Sequence, residues 1–314
     1  MFRKHTRRAA KAAFAISFGV ALLIGLSACG GGGGGSPTTT SSSAKPKVIV
    51  GTKNFTEEFI LGQLYAQALK AKGFPVELKS NIGSSEVTDA AIKSGKINFY
   101  PEYTGVIVLD LSGAKTAPKT ASANYNAAKK FEQTRGLTLL NPTPFYDSDT
   151  VSVLKSTAQK YGLKTIGDLS KIEPFSYAGY PECDKRITCL LGLKQIYGLK
   201  KVSFVQIGTI SVETLLDQHK ATAGDIFSTE PALATGNYVP LTDTKHIFGF
   251  QNVAPVVSEK LLKGSNGMLL ESICNKVSSK LTLQAMIAMN KAVSVDKQTP
   301  QAVAKQFLKA NGLL

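Results

Sequence analysis

The sequence contains no tryptophan, so any aromatic binding surface must be built from tyrosine and phenylalanine. Histidine is nearly as scarce, with only His5, His219 and His246. None lies near a cysteine, which excludes the His/Cys spacings of zinc sites, and no metal is expected. His219 and His246 are far apart and are read as surface residues. His-Glu-x-x-His, Gly-x-Ser-x-Gly and the Walker phosphate loop are all absent. The zincin, nucleophile-elbow and P-loop chemistries go with them. No catalytic residue or cofactor is assigned. The one long apolar run, from Ala12 to Ala28, is rich in Ala, Gly and Ser and falls short of the roughly 20 apolar residues of a membrane span.

That run instead completes a secretory signal. Arg3, Lys4, Arg7, Arg8 and Lys11 precede it with no acid among them, giving a basic n-region, a short apolar h-region and small residues before a cut site. Residues 1–28 are therefore read as a signal peptide. Leu26-Ser27-Ala28-Cys29 resembles the lipobox of bacterial lipoproteins, in which the cysteine thiol takes a diacylglycerol, so Cys29 is the expected lipid anchor and the body is expected outside the cytoplasm. The competing reading is an uncleaved anchor or an ordinary signal with a coincidental cysteine. From Gly30 to Ala44 the chain is almost wholly Gly, Ser and Thr, a composition that cannot bury a core. Residues 29–46 are read as a flexible linker.

The rest has what a globular body needs. With 314 residues, 43% hydrophobic and 19% charged, the chain can form two domains of about 100–150 residues each. Removing the signal takes away five positive charges and brings the formal +15 to about +10, a balance suited to anionic headgroups or wall polymers. The lysines are scattered rather than interleaved with aromatics, so nucleic acid is not an expected partner.

Short apolar strands alternate with helical patterns. Val48–Val50 is a strand that leads into a helix with Thr56 as its expected N-cap. Ile60, Leu61, Leu64, Tyr65, Ala68 and Leu69 recur at helical spacing and Gly73 ends it. Strands are expected at 76–78, 97–100, 151–154, 175–178 and 202–207. Helices are expected at 85–94, 191–197, 212–220, 272–281 and 283–292, with a last one opened by Thr299-Pro300. This alternation predicts parallel sheet with helices on its faces. A short echo links Gly95 to Glu102 with Gly224 to Pro231: each reads Gly, strand, then an acid and a proline. If related, the two strands end at one shared cleft, because ligands of open α/β sheets sit outside the carboxyl ends of strands. Cys183 and Cys189 are six apart in one loop of an exported chain, which predicts a disulfide stapling it; Cys274 is left over as a small buried residue on a helix.

Gly51-Thr52-Lys53-Asn54-Phe55-Thr56-Glu57, Tyr100-Pro101-Glu102-Tyr103-Thr104-Gly105, Lys160-Tyr161-Gly162-Leu163-Lys164-Thr165-Ile166-Gly167-Asp168-Leu169, Pro181-Glu182-Cys183, Ile226-Phe227-Ser228-Thr229 and Asn252-Val253-Ala254-Pro255-Val256-Val257 occur in this order. Together they resemble the glycine betaine/choline/carnitine-binding proteins of osmoprotectant ABC importers, from Lys47 to Leu314. The resemblance implies a two-lobed α/β fold of the type II periplasmic-binding-protein class. Each lobe would be a mixed sheet flanked by helices, with the ligand cleft between lobes. Residues 47–143 and 245–314 would form one lobe and 144–244 the other. It also implies a monomer that hands a quaternary amine to permease and ATPase subunits on separate chains.

The chemistry implied is capture of a cation that donates no hydrogen bonds, so aromatic faces suit it at about 0.5–2 kcal/mol per ring. The resemblance places Tyr103, Phe227 and Phe250 at box positions, with Tyr146 as a fourth and Thr104 beside Tyr103. Phe227 and Phe250 stand where relatives often carry tyrosine. Lys53 and Asn54 lie between strand and helix, where N–H groups meet a polar ligand end; Lys53 reads equally as a surface charge. Ser228 and Thr229 follow Phe227. Asp147 and Asp149 depart from an Asn-rich family segment and either face the cleft, favouring a net cation such as choline, or cap the hinge turn. Phe250 has a core-packing alternative, and Tyr100 is read as core. A binding protein for another solute (amino acid, polyamine or aromatic compound) is the rival of the same class, and an enzyme on this fold the rival of a different one.

Overall fold

The computed structural model describes residues 44–314; the expected signal peptide, Cys29 and nearly all of the linker lie outside them. Among the described residues ten strands form two five-stranded mixed sheets, so the expected α/β architecture is present. The first sheet contains β1 (Val48–Gly51), β2 (Val76–Lys79), β3 (Phe99–Tyr103), β4 (Leu137–Leu139) and β10 (Val253–Ser258). The second contains β5 (Asp149–Leu154), β6 (Phe175–Gly179), β7 (Val202–Gln206), β8 (Ala223–Phe227) and β9 (Tyr238–Pro240). Their orders are β2-β1-β3-β10-β4 and β7-β6-β8-β5-β9.

The two orders are one pattern. In each sheet three parallel strands are followed by a central antiparallel pair, β3 with β10 or β8 with β5. The echo seen in the sequence therefore marks equivalent middle strands, but its Pro-Glu element does not mark equivalent turns. Pro101 and Glu102 lie inside β3, which begins at Phe99 rather than Ile97, whereas Pro231 opens a short 3-10 turn after β8.

Helix α1 (Thr56–Ala71) carries the expected apolar stripe, and Ile60, Leu61, Leu64, Tyr65, Ala68 and Leu69 are all fully buried against the first sheet. Its N-cap is Phe55 rather than Thr56, and no side chain caps it. The first-turn acids Glu57 and Glu58 are buried instead of facing water. Helix α2 (Ser85–Lys93) follows β2, and the helix expected at 272–281 is longer, Gly264–Lys280, with Cys274 free inside it. Among the described residues no helix is long and apolar enough to cross a membrane.

Two stretches connect the sheets, residues 140–148 and 241–252, and they run side by side. Thr143 N–H donates to the Val253 carbonyl at 2.8 Å, Asp147 N–H to the Gln251 carbonyl at 3.1 Å, and Tyr146 bridges Asn252. Asn252 Nδ2 donates to the carbonyls of Thr143 and Phe145. This ladder fixes which residues of the crossings point inward.

Candidate ligand cleft

A narrow cavity of about 40 Å³ opens where the carboxyl ends of the parallel strands of both sheets meet. Its wall is supplied by Lys53, Asn54 and Phe55 after β1, Tyr103 at the end of β3, Tyr180 after β6 and Phe227 at the end of β8. Asp147 and Asp149 arrive at the same edge because β5 runs antiparallel and starts there. Ser84 and Ser85 at the head of α2, Val106 just beyond β3, Glu182 beside the disulfide, Arg186 from the loop it closes, and Gln251 complete it.

The aromatic rings form a chain. Tyr103 and Phe55 lie 6.2 Å apart between centroids, Phe55 and Phe227 5.3 Å, and Phe227 and Tyr180 5.7 Å. Phe55 belongs to the side of the first sheet, and Phe227 and Tyr180 to the second. Ring centres 5–6 Å apart leave no room for a methylated ammonium between them, so the Phe55–Phe227 contact must part to admit one. Lys53 already uses one aromatic face: its ammonium lies 4.0 Å from the Tyr103 centroid.

Lys53 is not a surface charge. Its side chain is 2% exposed and its ammonium contacts Glu102 and, at 3.6 Å, Glu58. Burial pushes Glu58 up to about 8 against the pull of Lys53, with Glu102 adding to the rise. Arg186 is likewise engaged, its Nε and Nη2 donating to Glu86 at 2.9 and 3.0 Å. The two cations of the wall are thus held by acids outside the cavity.

The acids facing inward are differently placed. Asp147 accepts from Ser228 Oγ at 3.1 Å and Thr229 N–H at 3.0 Å. Burial, and then the charge of Glu57, drive its carboxyl well above the usual carboxylate range. Burial also raises Asp149. Glu57 sits behind the wall and accepts from Tyr103 Oη (2.9 Å), Thr229 Oγ1 (2.6 Å) and Asn290 Nδ2 (3.0 Å). Its carboxyl is raised by burial despite those donors. This concentration of desolvated carboxyls is an environment that a bound cation relieves.

Of the residues expected from the sequence, Lys53, Asn54, Tyr103, Asp147, Asp149 and Phe227 come together on the cavity. Five do not. Tyr146 is 57% exposed between buried Phe145 and Asp147, because side chains alternate along an extended crossing and Asp147 takes the inward position. The same alternation turns Gln251 inward and sends Phe250 to a separate groove beside Lys115, His246 and Gly249. Thr104 is buried with its hydroxyl donating to the Phe250 carbonyl at 2.9 Å. Ser228 and Thr229 hold Asp147 and Glu57 from behind rather than lining the cavity.

Sequence reasoning missed Phe55, Tyr180, Arg186 and Glu57. Phe55 and Glu57 were inside a recognised motif, and Tyr180 follows a strand at the ligand-facing edge, so a signal existed for those three. Cys183 and Cys189 are joined by a disulfide, Cα atoms 5.1 Å apart, which closes the loop carrying Arg186.

With this geometry in view, residues 46–310 match the family described as the substrate-binding domain of the ABC-type glycine betaine transport system. The chain belongs to that family. A glycine-betaine-binding protein of Pseudomonas aeruginosa is 29% identical over 279 residues, covering 84% of this chain and 88% of its own. The glycine betaine-binding protein YehZ of Escherichia coli is 28% identical over 283 residues, covering 86% and 92%. A crystal structure of a glycine betaine/carnitine/choline ABC transporter protein superposes with a TM-score of 0.68 at 22% identity, over 85% of this chain and 99% of the other. That likeness shows the fold, the type II periplasmic-binding architecture of two mixed sheets. The family's function is substrate binding in transport.

Proposed function

We propose that this protein is the extracytoplasmic solute-binding component of an ABC importer, and that it captures a quaternary-ammonium osmoprotectant and delivers it to a permease. The observation that carries the ligand class is the facing of two wall elements: the ring chain Tyr103, Phe55, Phe227 and Tyr180, and the carboxyls of Asp147 and Asp149. Aromatic faces attract a cation that cannot donate hydrogen bonds, and a cation beside the raised, desolvated acids favours their charged form.

Choline is the favoured cargo over glycine betaine. Both wall cations, Lys53 and Arg186, are engaged by Glu58, Glu102 and Glu86, which leaves a ligand carboxylate to compete with those acids and to face Asp147 and Asp149. The chain segments 47–143 with 245–314 and 144–244 act as two lobes, and ligand access separates Phe55 from Phe227 as they open. Cys29 carries the lipid that keeps the body within reach of the permease.

Isothermal titration of the soluble body with choline, glycine betaine and carnitine tests the ligand. Choline binding tightest supports the reading; betaine binding with no response to choline overturns the preference, and no response to any of the three overturns the ligand class. Radiolabelled palmitate incorporation that is lost in Cys29→Ala tests the anchor.

A further inference from the structure

Strands β5 and β8 pair antiparallel with Asp149 opposite Phe227 and Val151 opposite Asp225. Asp149 and Asp225 are therefore diagonal neighbours on one face of the sheet, two residues apart across the ladder. This register puts two desolvated acids beside each other, close enough for the charge of Asp149 to raise Asp225. Two neighbouring desolvated carboxyls disfavour double ionisation, so one of the pair keeps a proton.

Asp149 lines the cavity, whereas Asp225 is 5% exposed and does not line it. Asp225 Oδ1 has no hydrogen-bond partner. Cys189 Sγ lies 3.9 Å from Oδ2 and carries no hydrogen because it is in the disulfide. Among the described residues no donor hydrogen-bonds to Asp225, and only the charge of Arg186 opposes its rise. Burial first, and then the charge of Asp149, drive it well above the carboxylate range. The groups facing the pair are Arg186 from the disulfide loop, Lys53 from the loop after β1, Asp147 ahead of β5, Asp110 from the first sheet's side, and Tyr177 and Tyr180 from β6 and its end. The nearest cations among them are already paired with other acids or reach Asp149 as well.

We propose that Asp225 is a positioning residue that stays protonated and donates a hydrogen bond to Asp149, holding the Asp149 carboxylate ionised and aimed at the cation in the cleft. No covalent step is involved: the proton stays on Asp225 and the ligand exchanges only with solvent. The proposal rests on the cation-binding reading above, but its protonation half stands without a ligand.

Three variants separate the roles. Asp225→Asn keeps a donor to Asp149 without an ionisable proton, and is expected to bind choline within a few-fold of the wild type. Asp225→Leu removes the donor, so burial alone acts on Asp149; affinity at pH 6 should fall at least 10-fold and climb as pH rises and Asp149 ionises. Asp149→Asn should weaken choline at every pH. Asp225→Asn binding as weakly as Asp225→Leu, or Asp225→Leu sharing the wild-type pH profile, overturns the proposal. If Asp225→Leu does not fold, infrared difference spectra of wild type against Asp225→Asn at neutral pH decide it without ligand. A protonated-carboxyl C=O band present in the wild type and lost in the variant supports the proposal; no such difference overturns it. A wild type that binds no quaternary amine while showing the band refutes the ligand reading and leaves the shared proton standing.

Discussion

Thr229 Oγ1 donates a 2.6 Å hydrogen bond to Glu57 Oε2, joining the turn after β8 to the first turn of α1. The same carboxyl accepts from Tyr103 Oη, which stands in the cavity wall. One buried acid therefore connects the second sheet, the first helix and the aromatic face offered to ligand.

Replacing Thr229 by valine keeps the shape and removes this donor. A buried carboxyl losing a hydrogen bond costs about 1–3 kcal/mol. Urea denaturation of Thr229→Val should show that loss in the midpoint with an unchanged slope, and an unchanged midpoint would contradict the role given to the contact.

Phe227 touches both Phe55 and Tyr180 and lies where the two sides of the cleft meet. Phe227→Ala should weaken a quaternary ammonium by about 0.5–2 kcal/mol, the worth of one ring. Because the chain has no tryptophan, Phe227→Trp makes a single reporter there. Its emission should shift on titration with choline and stay constant with an uncharged isostere.

Lys53 meets two buried acids, and its closer partner is Glu102. Burial raises Glu58 to about 8 against an ordinary 4.5, with Lys53 opposing the rise and the charge of Glu102 adding to it. A folded-state value raised above the unfolded one favours the fold below about 4.5 and loses that contribution as pH rises through about 8. Glu58→Gln, which mimics the protonated acid and can still accept from Lys53 N–H, should flatten the stability profile between those limits. It should be the more stable protein above pH 8. An equal alkaline loss in both proteins would show that another group titrates.

The Cys183–Cys189 bridge closes a short loop that carries Arg186 to Glu86 across the mouth of the cleft. Loop-closure entropy for so short a ring is about 2 kcal/mol. Cys183→Ser/Cys189→Ser should lose about that much stability by urea melts. Its ligand affinity should fall as well, because Arg186 lines the cavity from that loop and Glu182 from beside it. Stability lost with affinity intact would confine the bridge to a folding role.

Local pattern alone determined a good deal here. The spacing of Ile60, Leu61, Leu64, Tyr65, Ala68 and Leu69 specified α1 and its buried face, since a helix repeats every 3.6 residues whatever surrounds it. The ordered motifs pointed to the family, and the loops after β1, β3 and β8 were legible as the ligand-facing edge because strand ends in α/β sheets carry it. What remained hidden depended on register and on alternation along extended chain. Whether Tyr146 or Asp147, and Phe250 or Gln251, turns inward is settled by the ladder between the two crossings, whose partners are about a hundred residues apart. The meeting of Asp149 with Asp225 is settled by the β5–β8 register, where a shift of one residue would place one of them on the opposite face. Side-chain chemistry was readable from the sequence; which side chains share a buried space is set by long-range strand pairing, and only the tertiary structure decided it.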